Sequence, residues 1–153
     1  MKSWRILATM LAAMFAVCAI GMGAQAQPAA PISIADAWIP TPLPGSAVAA
    51  GYMRISNSSA QNDRLLSITS PRAGKVEMHE MRMDGQMMTM GALPYGAAIP
   101  AGQAFTFGPT GAHIMLSGMG QPLRVGEVVP LHLVFLHAGA IDTTAIVRPM
   151  GGH

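Results

Sequence analysis

The sequence holds a single cysteine, Cys18, among 153 residues, and it lies in a segment that reads as removed on export. Residues 1–26 have the form of a secretory signal. Lys2 and Arg5 make a positive start, an apolar run follows from Ile6 to Gly23, and Ala24-Gln25-Ala26 gives the small-x-small cleavage pattern. The processed chain is therefore expected to begin at Gln27. The apolar run, about 18 residues, is borderline for a membrane span, and cleavage behind it implies no stable membrane insertion. A lipid anchor on Cys18 is not expected, because bulky Val17 precedes it where lipoprotein processing takes a small residue. Without Cys18 the processed chain has no thiol, which excludes disulfides, thiol redox chemistry and any metal site that needs a Cys ligand, blue copper included.

Charge is scarce as well, at 10% of residues. Once Lys2 and Arg5 are removed, seven basic residues face seven acids. A balanced chain with no basic patch argues against nucleic acid or an anionic membrane as partner. The acids Asp36, Asp63, Glu77, Glu80, Asp84, Glu127 and Asp142 are scattered without a nucleophile motif, so no enzyme activity is expected. A c-type haem attachment motif is absent too.

Helical periodicity is also missing. Short apolar stretches instead alternate with turn chemistry such as Pro40-Thr41-Pro42-Leu43-Pro44-Gly45, Pro71-Arg72-Ala73-Gly74 and Gly108-Pro109-Thr110-Gly111. Nine strands are expected, over 32–39, 47–56, 64–70, 75–83, 86–90, 104–107, 112–117, 128–137 and 141–148. Such spacing predicts an all-β sandwich or barrel. Residues 27–148 make one domain, and 149–153 a short Gly-rich tail.

What the processed chain has in excess is methionine and histidine. Of fourteen methionines, ten lie beyond the signal, six of them between Met78 and Met90, together with all five histidines. Asp84-Gly85 sits between two strand-like runs and predicts a two-residue hairpin turn. With that turn, His79 opposes Met90 and Met81 opposes Met88, and all four project from one face. Downstream, His113-Ile114-Met115 places another imidazole and thioether on one face of a strand. Thioether is a soft ligand and imidazole an intermediate one, a set that suits Cu(I) and not Mg²⁺, Ca²⁺ or a structural zinc. His79, Met90, His113 and Met115 are the expected ligands. Met78, Met83, Met87 and Met119 read as core filler, and His132 and His137 as surface or edge residues of one strand, on opposite faces.

Several runs resemble the periplasmic copper chaperones known as PCuAC. These are Asp36-Ala37-Trp38, Ala49-Ala50-Gly51-Tyr52-Met53, Val76-Glu77-Met78-His79-Glu80-Met81, Ile99-Pro100-Ala101-Gly102 and His113-Ile114-Met115-Leu116 with Gln121-Pro122-Leu123. The family pattern is a His, a Met after ten residues, then His-x-Met after twenty-one more; here ten and twenty-two intervene. The resemblance runs from Ile32 to Arg148. It implies a cupredoxin-like (immunoglobulin-like) β-sandwich binding Cu(I) through His79, Met90, His113 and Met115. It also implies delivery of copper to the CuA subunit of cytochrome c oxidase, alongside Sco-type thiol proteins. The alternative is a passive periplasmic copper buffer with no dedicated acceptor. The His- and Met-rich C-terminal extension of some members is reduced here to Met150-Gly151-Gly152-His153.

Overall fold

The computed structural model describes residues 30–151; the segment read above as a signal, residues 1–26, lies outside them, as do residues 27–29 and 152–153. The chain forms ten strands: β1 (Ile32–Pro40), β2 (Val48–Asn57), β3 (Asp63–Thr69), β4 (Lys75–Asp84), β5 (Met87–Ala92), β6 (Ala97–Ile99), β7 (Ala104–Phe107), β8 (Ala112–Ser117), β9 (Val128–Phe135) and β10 (Gly139–Arg148). Nine lie close to the expected positions. The short β6 escapes the sequence pattern because three residues are too few to show alternation. No described helix is long and apolar enough to cross a membrane.

Hydrogen bonding runs in the order β5-β4-β8-β2-β1-β10-β9-β3-β6, with β7 added to β2. β2 is the hinge of this path. Its first half pairs with β8 through Ala50↔Met115, and its second half with β7 through Ile55↔Phe105. The ladder therefore folds over into a β-sandwich, all antiparallel among the described pairs except β1 with β10.

Alternation decides what the sandwich encloses. β8 reads buried at Ala112, Ile114 and Leu116 and half-buried at His113, Met115 and Ser117. β9 buries Val129, Leu131, Leu133 and Phe135. Together with Ile39, Met53, Ile55, Leu65, Met78 and Val147 these form one apolar core. Met78 is core filler as expected, and Met119 packs against the same cluster. Met83 and Met87 are not: they are 64% and 70% exposed, because β4 and β5 run on past the sandwich as a free ribbon. His132 lies on β9 with Nδ1 2.5 Å from Asp142. His137 is not on that strand, which ends at Phe135; it lies in the β9–β10 turn, and its backbone N–H donates to Asp63 of β3.

β1 carries one irregularity with consequences for the outer face. Its register with β2 slips between Ala35 and Trp38, and Asp36 takes φ +51°. Aspartate tolerates the left-handed region better than most side chains. The resulting bulge brings Trp38 opposite Tyr52, with ring centroids 4.9 Å apart.

Candidate metal centre

β4 and β8 bring the two histidines directly opposite each other. His79 pairs with His113 across the ladder, and their rings lie edge-on with centroids 5.9 Å apart. Met115 lies two residues beyond His113 and opposes Glu77, which places it diagonally from His79. All three project away from the core, since Met78, Ile114 and Leu116 occupy the other face.

Met90 arrives by a different register from the expected one. Met90 pairs with Met81, Met83 with Met88, and His79 with Ala92. The hairpin turn is Gly85-Gln86, not Asp84-Gly85. Glycine at the first central position takes φ +62°, as a type II′ turn requires; a type I′ turn would force Asp84 to positive φ as well. Leu93 reinforces the choice, donating its N–H to the Met78 carbonyl at 2.8 Å and packing on the core. The pairing shifts by two residues, so every side chain keeps its face. Met90 still shares the outer face with His79, now as a diagonal neighbour at about 7–8 Å between backbones. His79, Met90, His113 and Met115 thus occupy one face of three adjacent strands, with Met90 and Met115 on opposite sides of the His79–His113 pair.

The nitrogen atoms carry the clearest chemical signal. His79 Nδ1 is buried without any hydrogen-bond partner, a state that costs about 1–3 kcal/mol unless something satisfies the lone pair. A metal bond would do so. His113 Nδ1 lies 3.4 Å from the Gly111 carbonyl. With the proton on Nδ1 for that contact, Nε2 is left free to ligate, the usual arrangement for a metal-binding imidazole. Glu77 Oε2 sits 4.0 Å from His79 Nε2. The hydrogen bond from Lys75 holds the Glu77 carboxyl below its ordinary range, which keeps a carboxylate beside the pair.

No three His, Cys, Asp or Glu side chains converge among the described residues. Besides the Glu77 carboxylate, the donors on this face are two imidazoles and thioethers, and imidazole with thioether suits a soft monovalent ion.

Sequence reasoning missed two features. One is the direct opposition of His79 and His113, which depends on strands more than thirty residues apart. The other is the Trp38–Tyr52 wall, with Arg148 stacked 5.7 Å from the Trp38 ring centre. It flanks Ala50, the partner of Met115, and borders an apolar cavity of about 450 Å³ lined by Pro42, Leu43 and Val48. The Asp36-Ala37-Trp38 run was the available signal for it.

Comparison with known proteins agrees with this architecture. Residues 32–147 match the family described as "Putative lipoprotein LpqE-like". The Leifsonia xyli subsp. xyli protein described as "Putative lipoprotein Lxx21020" is 28% identical over 139 residues, covering 88% of this chain and 82% of its own length. The copper-bound PCuAC domain from PmoF2 is 27% identical, with TM-score 0.66, over 78% of this chain and 94% of that domain. The Cu(I) form of DR1885 from Deinococcus radiodurans is 29% identical, with TM-score 0.61, over 83% of each chain. The chain belongs to the LpqE-like family and is a PCuAC-type β-sandwich domain.

Proposed function

We propose that this chain is an exported, periplasmic Cu(I) carrier that holds one ion with His79, Met90, His113 and Met115. Copper is its cargo, and the CuA subunit of cytochrome c oxidase, reached directly or through a Sco-type thiol protein, is its destination. The observation that carries the reading is the buried, unpartnered Nδ1 of His79, whose ring lies edge-on to His113 on a surface otherwise supplied with thioethers. Two solved relatives are described as copper-bound, one of them as the Cu(I) form, and a relative and the family are described as lipoproteins, in keeping with export.

The chemistry suits carriage. Four neutral ligands leave the ion at net +1, tolerable on a half-exposed face and easily given up to an acceptor thiolate, which binds Cu(I) more tightly. With no thiol of its own, the processed chain forms no disulfide that would block the site in an oxidising compartment.

X-ray absorption of the Cu(I)-loaded protein tests the ligands: nitrogen and sulfur scatterers are expected, and a shell of nitrogen and oxygen alone would refute the assignment. A deletion strain grown under copper limitation tests the destination. Loss of CuA loading is expected for a carrier, whereas normal loading would identify a passive buffer.

A further inference from the structure

The β4–β5 hairpin is two-faced in an inverted sense. Past Met78, the side that continues the core carries Glu80, Arg82 and Asp84, with Arg82 bound to Glu80 at 2.7 Å. The side that points away from the core carries Met81, Met83, Met88 and Met90. All six residues of β5 are exposed, and Met83, Met88 and Met90 are 64%, 65% and 53% exposed. Core packing does not account for methionines placed on the wrong side of a ribbon. β5 is also the last strand of the hydrogen-bonded order, and such an edge is ordinarily guarded by charge or proline.

Register brings these thioethers together. Met83 directly opposes Met88, and Met81 directly opposes Met90. Opposed Cβ atoms sit about 4.5–5.5 Å apart, with each sulfur two bonds further out and rotatable. Met81 follows Met83 on the same face at about 7 Å along the strand. Three soft, neutral donors on one small patch match Cu(I) or Ag(I) and offer nothing to zinc or to hard cations.

The geometry points to a second soft-metal site, formed by Met81, Met83 and Met88 at the outer end of the hairpin and adjoining the Met90 end of the His79–His113 centre. It takes a monovalent soft ion from solution and stands one strand position from a ligand of the inner centre, so an ion can pass from thioether to neighbouring thioether along the exposed face. As an entry point for copper the site rests on the function proposed above; as a thioether site for a soft ion it does not.

The test is a titration of the intact protein, carrying ¹³C-labelled methionine methyls, with Ag(I) as a redox-inert stand-in for Cu(I). Two equivalents should bind. One shifts the methyls of Met90 and Met115, and the other shifts those of Met81, Met83 and Met88 together. The double variant Met83→Leu, Met88→Leu should lose one equivalent of the two. Unmoved methyls at Met83 and Met88 in excess Ag(I), or two equivalents still bound by the double variant, would overturn the hairpin site. Movement of the hairpin methyls with Met90 and Met115 unmoved would support the hairpin site and count against the inner centre, so the two readings fail separately.

Discussion

His79 and Met90 are the two proposed ligands whose roles a substitution separates from stability. Met90 is 53% exposed, so Met90→Leu removes a soft donor while changing volume little, at a cost below about 1.5 kcal/mol. Cu(I) competition titrations should show weaker binding by roughly tenfold or more, equivalent to about 1.4 kcal/mol of lost ligation, with an unchanged thermal midpoint. Equal affinity would make Met90 a bystander. His79 behaves oppositely with respect to stability. Its Nδ1 is buried and unsatisfied, so in the metal-free protein His79→Leu removes a polar group that has no partner. The variant should melt no lower than the parent, and up to a few degrees higher, while losing tight Cu(I) binding. A clear fall in the midpoint without metal would mean that the imidazole is a structural element.

At the scale of the element, the hairpin depends on Gly85. Its φ of +62° suits glycine, whereas an L side chain there costs about 1–2 kcal/mol. A Cβ at Gly85 would meet nothing within 4 Å, so Gly85→Ala acts through backbone strain alone. Faster hydrogen exchange is expected at the Arg82 and Thr89 amides, which face each other across the hairpin, with the β9 amides unchanged. Exchange unaltered in the ribbon would show that the turn does not set the register. This element was only partly legible in the sequence. The Met- and His-bearing strands and an intervening turn follow from alternation and from Asp84-Gly85, but that dipeptide permits two turns, and the choice between them shifts each partner by two positions. Packing of Leu93 on the core helps fix the register, and that contact is invisible to a local pattern.

Across the whole molecule, two carboxylates tie distant parts of the sandwich together. Asp63 accepts N–H bonds from His137 at 3.0 Å and Ala138 at 2.9 Å, joining β3 to the β9–β10 turn. Burial pushes its carboxyl up, but the backbone donors of His137, Arg64 and Ala138 outweigh it and hold it below the ordinary 3.8. Glu127, bonded to Arg72 at 2.6 Å, is likewise held below the ordinary 4.5, chiefly by that hydrogen bond. A depressed folded value stabilises the protein above the unfolded value and is lost as pH falls through the folded one. Stability should therefore be level towards neutral pH and decline from about pH 4.5 downwards. Asp63→Asn should cost about 1–3 kcal/mol at neutral pH and flatten that decline, as read by denaturant midpoints across the range. An equally steep acid limb in the variant would show that Asp63 does not drive it.

Alternation of apolar and polar residues, the punctuation by Gly and Pro, and the donor types were determined by the sequence by itself, because each is local or compositional. They suffice for an all-β sandwich and for His79, Met90, His113 and Met115 as the candidate set. The partners of those residues were decided only by the tertiary structure. His79 meets His113 because β8 inserts between β4 and β2, and Met90 lies beside Met81 because Gly85 takes the first turn position. Cross-strand pairing joins segments far apart in the chain, and its register is set by how the apolar faces pack together, a collective property that no short stretch of sequence contains.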